Sequence, residues 1–420
     1  MTVYPLNPGP SWNVPRVQAP GCLGLLPQYE IEWWYYTGVV EAGDERFSVQ
    51  VSVDRLGAGP LGLSFGLLAL GRGLDDSYRI SVGYGVGVWD DVPDPIGLSL
   101  ATVNDDTFAL SFSPVVGDTR VRVRYTGGTP VGTIGSTYLL EASGADPSGS
   151  FAITVPLTDR RGLVLEGISG YVGPGTPGTG PVGHGAATYE FAQPRLEIGS
   201  GSLTLGERTY ELTGGMLWLD RQVMTNSDVA ASRPPVDPAR PDLAIEQQEL
   251  YRGDWMGIML DGGVTLVLAT FWQPPCPPAF PLQWITGTLV GRPPLGGFGT
   301  VYAPTDPAAL NGGYGLLGAR VDSTSFDFDM NVLDYAHPAE SPHWMSPNSK
   351  KTYCTAWAIR FDKRVQAMGV PGEIFVRAVT SGCENAVAGQ SFWEGGAVVY
   401  ADSACERRIG VAAVEQMGFD

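Results

Sequence analysis

The sequence lacks the motifs that mark most cofactor-dependent enzymes. Its 420 residues contain no GxxxxGK[ST] phosphate loop, no GxGxxG between a strand and a helix, no HExxH pair and no GxSxG. These absences argue against nucleotide-dependent and nicotinamide-dependent enzymes, zinc proteases and ordinary serine hydrolases. The three histidines, His184, His337 and His343, are too scattered to indicate a metal site. We therefore expect neither a metal nor a cofactor.

Cysteine and positive charge are also scarce. The five cysteines are odd in number and form no CxxC pair, which predicts neither a disulfide framework nor a zinc site. A net charge of −18 argues against nucleic acid and anionic membrane surfaces as partners. No apolar run reaches the roughly 18 residues of a membrane span, and the N-terminal segment lacks a signal-peptide pattern. We expect a cytoplasmic protein without stable membrane insertion.

Turn residues and short alternating runs are abundant. The chain has 57 glycines and 34 prolines, and between them lie runs such as 46–53, 120–125 and 263–272. Period-two runs bounded by turns are typical of all-β proteins. Segments 32–53 and 254–272 both read as an acidic-Trp start, a strand, a glycine-containing turn and a second strand. This repeat predicts two tandem antiparallel β-barrels, residues 1–212 and 213–420, with a cavity in or between them.

Two segments read as loops. Residues 226–248, rich in proline and polar side chains, cannot form a central strand and act either as a surface connection or as a lid over a cavity. The glycine- and proline-rich tract 173–185 reads as a flexible loop.

Aromatic residues recur beside acids, most densely in Glu32-Trp33-Trp34-Tyr35-Tyr36. Because neighbours in a strand face opposite sides, Glu32, Trp34 and Tyr36 share one face, which suits a barrel interior that holds an apolar ligand and exchanges protons with it. Alternatively, these aromatics fill the barrel and Glu32 pairs with an arginine. In Trp218-Leu219-Asp220-Arg221-Gln222, Asp220 and Arg221 form an internal ion pair, or Asp220 is a proton donor whose pKa burial raises.

Four ordered motifs carry a resemblance to a known family. They are EWWYYTG at 32–38, YEF at 189–191 followed by GGMLWLDRQ at 214–222, WMSPNSKKTYCTAW at 344–357, and FWEG at 392–395. The chain resembles the AttH-like and hydroxyneurosporene synthase (carotenoid 1,2-hydratase) group of double-lipocalin proteins. It departs from the family pattern in the third motif, where Lys350 replaces a glycine and Cys354 replaces a proline.

The resemblance implies a lipocalin-like fold and a hydrophobic small-molecule partner, and it leaves three functions open. The first is a cofactor-free [4+2] cyclase, similar to Diels-Alderases, acting on a polyene in natural-product biosynthesis. The second is a hydratase of an isoprenoid-type double bond, and the third is a non-catalytic carrier. The expected catalytic residues are Glu32, Tyr36 and Asp220. The expected substrate-binding residues are Trp34, Tyr189, Trp218, Gln222, Trp344, Tyr353, Trp357 and Trp393.

Overall fold

The fold is described from a computed structural model of the whole chain. The structure describes residues 23–24, 31–56, 61–88, 102–104, 106–165, 171–172, 188–224, 252–272, 284–285, 288–289, 296–302, 328–332, 343–361, 363–366, 369–387 and 390–416.

Strands make up nearly all of the regular structure in these ranges. One short helix, α1, spans Lys363–Gln366. The strands are β1 Ile31–Ala42, β2 Glu45–Leu56, β3 Leu61–Arg72, β4 Ser77–Val88, β5 Thr102–Asn104, β6 Thr107–Phe112, β7 Arg120–Gly127, β8 Thr137–Asp146, β9 Gly149–Asp159, β10 Val164–Leu165, β11 Tyr171–Val172, β12 Thr188–Glu197, β13 Ser202–Leu205, β14 Arg208–Glu211, β15 Gly214–Met224, β16 Arg252–Leu260, β17 Thr265–Trp272, β18 Trp284–Ile285, β19 Thr288–Leu289, β20 Gly296–Tyr302, β21 Phe328–Val332, β22 His343–Met345, β23 Thr352–Cys354, β24 Ala356–Phe361, β25 Glu373–Ala378, β26 Glu384–Val387, β27 Gln390–Tyr400 and β28 Arg408–Gln416.

The strands form two large, curled antiparallel sheets. In the first the order is β4-β3-β2-β1-β15-β12-β9-β8-β7-β6-β5, and in the second it is β19-β18-β21-β24-β25-β27-β28-β16-β17-β20. The first sheet curls far enough for the Tyr84 backbone N–H to donate to the Val116 carbonyl, at 2.7 Å. The predicted fold, two tandem lipocalin-like barrels in an all-β chain, is confirmed.

The β1–β2 and β16–β17 hairpins occupy equivalent places in the two sheets. In each sheet the first strand pairs with the second and also with the last, β15 or β28. The expected boundary at residue 213 is misplaced, because β15 follows it and still pairs with β1 and β12 of the first sheet. The change from one sheet to the other therefore falls between Met224 and Arg252.

Both faces of β2 are buried, as the alternation of its side chains shows. Val49, Val51 and Val53 point into the apolar core of the first barrel. The polar side chains between them, Ser48, Gln50 and Ser52, are also at most 2% exposed. A polar face this deeply buried must be covered by another layer. That layer is the outer face of the second sheet.

The two outer faces meet along a line that we call the seam. Its centre is an apolar cluster from both sheets, consisting of Val39, Ala192, Met216, Trp218, Met259, Val267, Val411 and Ala413. Beside it β1 and β27 approach so closely that a Cβ on Gly396 would clash with the Gly38 carbonyl oxygen. Only glycine permits this backbone contact.

Two predicted loops, 226–248 and 173–185, lie outside the described residues. Within the described part of the chain, no helix is long and apolar enough to cross a membrane.

Candidate active site

The register of β1 divides its aromatic cluster between two environments. Glu32, Trp34 and Tyr36 face the interior of the first barrel, where Trp34 and Tyr36 belong to the apolar core. Trp33 and Tyr35 face the seam. The strand thus supplies two separate sets of side chains, and only the second set lies between the barrels.

Inside the first barrel, Glu32 is fully buried between two arginines. The Arg55 guanidinium lies 3.1 Å from one carboxylate oxygen, and Arg221 donates to the other. The Arg221 guanidinium also lies 4.0 Å from the centre of the Trp34 ring, whose indole N–H donates to the Leu23 carbonyl at 2.7 Å. These contacts match the structural alternative for Glu32. Removing one member of a buried ion pair leaves the other charge buried and uncompensated, so pairs of this kind are costly to break.

Tyr36 shares this interior and is 2% exposed. Burial raises the pKa of its hydroxyl far above the ordinary value. The structure therefore places two of the three expected catalytic residues, Glu32 and Tyr36, among packed core side chains.

Asp220 lies on the other side of the sheet. The expected ion pair with Arg221 does not form, because the two neighbours on β15 point to opposite faces and Arg221 is taken by Glu32. Asp220 instead accepts a hydrogen bond from the Trp33 indole N–H at 3.0 Å. Asp220 is thus at the seam, where the second barrel also contributes acids.

Glu394 of β27 faces the first barrel from the second sheet. It is 6% exposed and accepts a hydrogen bond from the Thr37 hydroxyl at 3.1 Å. Burial, and then the neighbouring Glu415 carboxylate, raise its pKa well above the ordinary value. Burial and Glu394 likewise raise the pKa of the Tyr35 hydroxyl. Both effects favour the protonated form of Glu394.

Two further acids stand nearby with displaced pKa values. Burial raises the pKa of Asp54 to about 8, although the Ser52 hydroxyl donates to this carboxylate at 2.6 Å and lowers the pKa. Burial also raises the pKa of Glu415 to about 7. We call the end of the seam formed by Asp54, Asp220, Glu394 and Glu415 with Trp33, Tyr35 and Thr37 the acid cleft. Clusters of displaced pKa values are frequent at catalytic sites.

Aromatic side chains line the acid cleft. Trp218 and Trp255 pack edge to face across the seam, with ring centres 5.5 Å apart. Trp218 is fully buried, whereas Trp33, Trp255 and Glu415 are only partly buried. The expected binding residue Gln222 is 7% exposed and pairs in register with Trp33. The partial exposure of Trp33, Trp255 and Glu415 gives solvent access to this side of the acid cleft.

The third motif forms a separate network inside the second barrel. The Tyr353 hydroxyl donates to Glu384 at 2.9 Å, and the hydroxyls of Ser346 and Ser349 donate to the same buried carboxylate. Trp344 stacks on Tyr353 with ring centres 6.0 Å apart. These spaced hydroxyl residues therefore surround one structural carboxylate.

The other two tryptophans expected to bind substrate are core residues of the second barrel. Trp357 and Trp393 are at most 1% exposed, and the Trp393 indole N–H donates to the Ser381 carbonyl at 2.6 Å. The structure does not bring Trp344, Tyr353, Trp357 and Trp393 together with the acid cleft. They pack in the core of the second barrel. Glu394, which follows Trp393 on β27, points the other way and faces the cleft.

The remaining candidates are placed only in part. The backbone of Tyr189 pairs with Val223, but its side chain lies outside the described residues, as do His184 and His337. His343 is described and exposed. Among the residues that the structure covers, no three His, Cys, Asp or Glu side chains form a group that could hold a metal ion.

Sequence reasoning missed Asp54 and Glu415 as site residues. A signal for Asp54 existed in the polar alternation Ser48, Gln50, Ser52 and Asp54 along β2, but alternation of this kind ordinarily marks a face in water. Glu394 stood in the FWEG motif without an assigned role. Glu415, in the last strand, had no local signal.

Comparison with known proteins agrees with this architecture. No family model matches the chain, and no curated protein sequence matches it. Among solved structures, an AttH-like protein from Nitrosomonas europaea covers 97% of both chains with a TM-score of 0.57 and 18% identity. This likeness shows the fold, so the expected resemblance to AttH-like double-lipocalin proteins is confirmed at that level.

Two enzymes are more distant structural neighbours. Kievitone hydratase from Nectria haematococca covers 91% of this chain and 87% of its own, with a TM-score of 0.47 and 14% identity. CghA, solved with Sch210972, covers 94% of this chain and 89% of its own, with a TM-score of 0.43 and 10% identity.

Proposed function

We propose that this protein is a cofactor-independent hydratase that adds water to a double bond of a hydrophobic small molecule in the acid cleft. The observation that carries the proposal is Glu394, a buried carboxyl group whose pKa is raised well above the ordinary value by burial and by the neighbouring Glu415 carboxylate, its partner in register on β28. A carboxyl group with a raised pKa is suited to act as a general acid, and a second acid beside it can act as the base.

In the proposed reaction Glu394 protonates one alkene carbon, leaving positive charge on the other. The faces of the Trp33 and Trp255 indoles, together with the nearby carboxyl groups, stabilise that charge. A water oxygen then bonds to the cationic carbon while its proton passes to ionised Glu415. Proton exchange with solvent at the open end of the cleft restores both acids.

The supporting geometry also assigns positioning roles. The Thr37 hydroxyl donates to Glu394 and orients this carboxyl group in the acid cleft. The Trp33 indole holds Asp220 at the cleft wall, where the Asp220 charge raises the pKa of Glu394. Asp220 thus keeps a place in the proposed site, as a group whose charge favours the protonated form of Glu394.

The test is incubation of wild type and Glu394→Gln with a panel of linear conjugated polyenes in water enriched in heavy oxygen. We expect the wild type to release a product carrying the label and Glu394→Gln to lose at least about a hundredfold in rate. Asp159→Asn serves as the control, because Asp159 is a buried acid with a pKa of about 6 inside the first barrel, away from the cleft. Labelled product at the wild-type rate from Glu394→Gln would remove Glu394 from the mechanism.

Intramolecular [4+2] cyclisation, the reaction that the sequence placed first, is the second candidate. One observation favours it: the Trp218 indole N–H, buried at the seam, has no hydrogen-bond partner within the described residues. A neutral N–H of this kind can donate a hydrogen bond to a substrate carbonyl and so activate the dienophile conjugated with it. The cleft would at the same time hold the polyene in a folded conformation. A cyclised product has the mass of its substrate and no heavy oxygen. Unchanged recovery of every polyene would indicate a carrier.

A further inference from the structure

One row of side chains crosses the outer face of the first sheet, starting in the acid cleft. Trp33 of β1 lies opposite Asp54 of β2, and Asp54 lies opposite Phe65 of β3. Phe65 lies opposite Tyr84 of β4, and a further bridge pairs Tyr84 with Val116. Residues paired across neighbouring strands project from the same face of a sheet. The row therefore leads from the cleft to the outer edge of β4.

A second row on the same face is wholly apolar. Ile31 lies opposite Leu56, and Leu56 lies opposite Leu63. Each of these residues is two positions from its neighbour in the first row, so both rows project from one face. We call the apolar members of the two rows beyond Trp33 the apolar platform. They are Ile31, Leu56, Leu63, Phe65, Tyr84 and Val116.

The apolar platform becomes more exposed away from the cleft. Ile31, Leu56 and Phe65 are partly buried, whereas Leu63 is 59% exposed, Tyr84 43% and Val116 65%. The rings of Phe65 and Tyr84 remain in contact, with centres 6.5 Å apart. Single apolar residues on a surface are ordinary. A continuous apolar surface that starts at a cleft instead indicates a place for a ligand.

Charge is scarce on this face. Among the described side chains of the two rows, Asp54 is the one acid and there is no basic residue. Burial raises the pKa of Asp54 to about 8, which favours its uncharged form at neutral pH. The neighbouring ion pair of Glu32 with Arg55 faces the interior of the first barrel. An uncharged hydrocarbon can therefore cover the platform without taking an exposed ion out of water.

The apolar platform is too small for a stable protein interface. Neighbouring strands lie about 4.8 Å apart, so the row from Asp54 to Val116 is about 14 Å long, and the two rows are about 7 Å apart. These dimensions give an area on the order of 100–200 Å², whereas each side of a stable interface covers about 800 Å². A single extended chain of a small molecule fits these dimensions.

We propose that the apolar platform binds the unreactive hydrocarbon chain of the molecule whose double bond lies in the acid cleft. The chain passes Asp54 and lies across Phe65 and Tyr84, beside Leu63. This inference rests on the proposed function and narrows its substrate class to an uncharged alkene with a long apolar chain on one side of the reacting bond.

The first experiment measures binding without reaction. The full chain is titrated into diphenylhexatriene, a neutral linear polyene whose fluorescence rises in apolar surroundings. We expect Leu63→Ser and Tyr84→Ser each to weaken binding about fivefold, because each removes an apolar contact with the probe. The matched control is Leu74→Ser, since Leu74 is 70% exposed in the turn between β3 and β4, at the far end of these strands. This variant should bind like the wild type.

The second experiment connects the platform with the reaction. Turnover in water enriched in heavy oxygen is compared for a long polyene, decatetraene, and a short one, hexadiene. For Leu63→Ser and Tyr84→Ser the KM of the long polyene should rise about fivefold at unchanged kcat, because the lost contact is made equally in the ground state and the transition state. The short polyene does not reach the platform, so its constants should match those of the wild type.

The two experiments distinguish failure of this inference from failure of the proposed function. Equal probe affinity in the wild type, Leu63→Ser and Tyr84→Ser overturns the platform, even when the wild type releases labelled product. If the wild type releases none, the hydratase proposal fails and probe affinity alone decides on the platform. A wild-type dimer that becomes a monomer in Leu63→Ser, measured by sedimentation, assigns this face to a second copy of the chain and also overturns the inference. Circular dichroism verifies that each variant is folded.

Discussion

Asp54→Asn should make the protein more stable at neutral pH. Asp54 is 7% exposed, and burial raises its pKa to about 8 from an ordinary value of 3.8. Between these two values the folded protein keeps a proton that the unfolded chain has released. Since the unfolded state binds fewer protons there, the free energy of unfolding falls as pH rises from about 4 to about 8.

The size of this effect follows from the pKa difference. Each pKa unit corresponds to about 1.4 kcal/mol, and pH 7 lies about three units above the pKa of an unfolded aspartate. The folded wild type is therefore destabilised at pH 7 by on the order of 4 kcal/mol through this one group. Asparagine has no proton to release, and its amide oxygen can still accept from the Ser52 hydroxyl.

The assay is urea unfolding of wild type and variant at intervals from pH 4 to pH 8. The stability gain of Asp54→Asn should grow with pH and vanish near pH 4. Asp146→Asn is the matched control of opposite sign, because a hydrogen bond from Arg79 lowers the pKa of that partly buried carboxylate. The ionised Asp146 carboxylate stabilises the fold above its unfolded pKa, and this contribution is lost in acid. The variant should therefore have a lower free energy of unfolding than the wild type at pH 7 and the same value at low pH. Equal pH slopes for wild type and Asp54→Asn would refute the burial argument.

Two further changes test the first barrel and the third motif. Glu32→Gln should lower the free energy of unfolding by about 3–5 kcal/mol, since it leaves Arg55 and Arg221 buried without their anion. Turnover per folded molecule should persist, and a loss of turnover at unchanged stability would make Glu32 catalytic after all. Lys350→Gly should raise the free energy of unfolding by about 0.5–1 kcal/mol, and with it the thermal midpoint. The reason is that Lys350 has a φ of +66°, which favours glycine. The neighbouring Lys351→Gly should lower it, and stabilisation by both substitutions would contradict the backbone argument.

The sequence predicted the fold well because its signals are local. Alternation along segments such as 46–53 predicts strands, and the repeated hairpin predicts two similar barrels. The structure also accounts for two features of the third motif. The position where Lys350 replaces the family's glycine is one of positive φ, and the hydroxyls of Ser346 and Tyr353 converge on Glu384.

The site was harder to predict because it depends on which face of each strand another sheet covers. The period of β1 placed Glu32 and Tyr36 together, but an acid beside aromatics reads the same in a cavity and in a packed core. Two arginines on other strands, Arg55 and Arg221, decide between these readings. Asp54 lies on a polar face of β2 that would be in water if the first barrel stood alone. Here the second barrel covers that face, and only the tertiary structure shows this.

The glycine contact between β1 and β27 sets how closely the two barrels approach each other. A Cβ on Gly396 would clash with the Gly38 carbonyl oxygen, and a Cβ on Gly38 would clash with the Met216 carbonyl oxygen. No side chain larger than hydrogen fits at either position, so this one contact fixes the separation of the two outer faces at the centre of the seam.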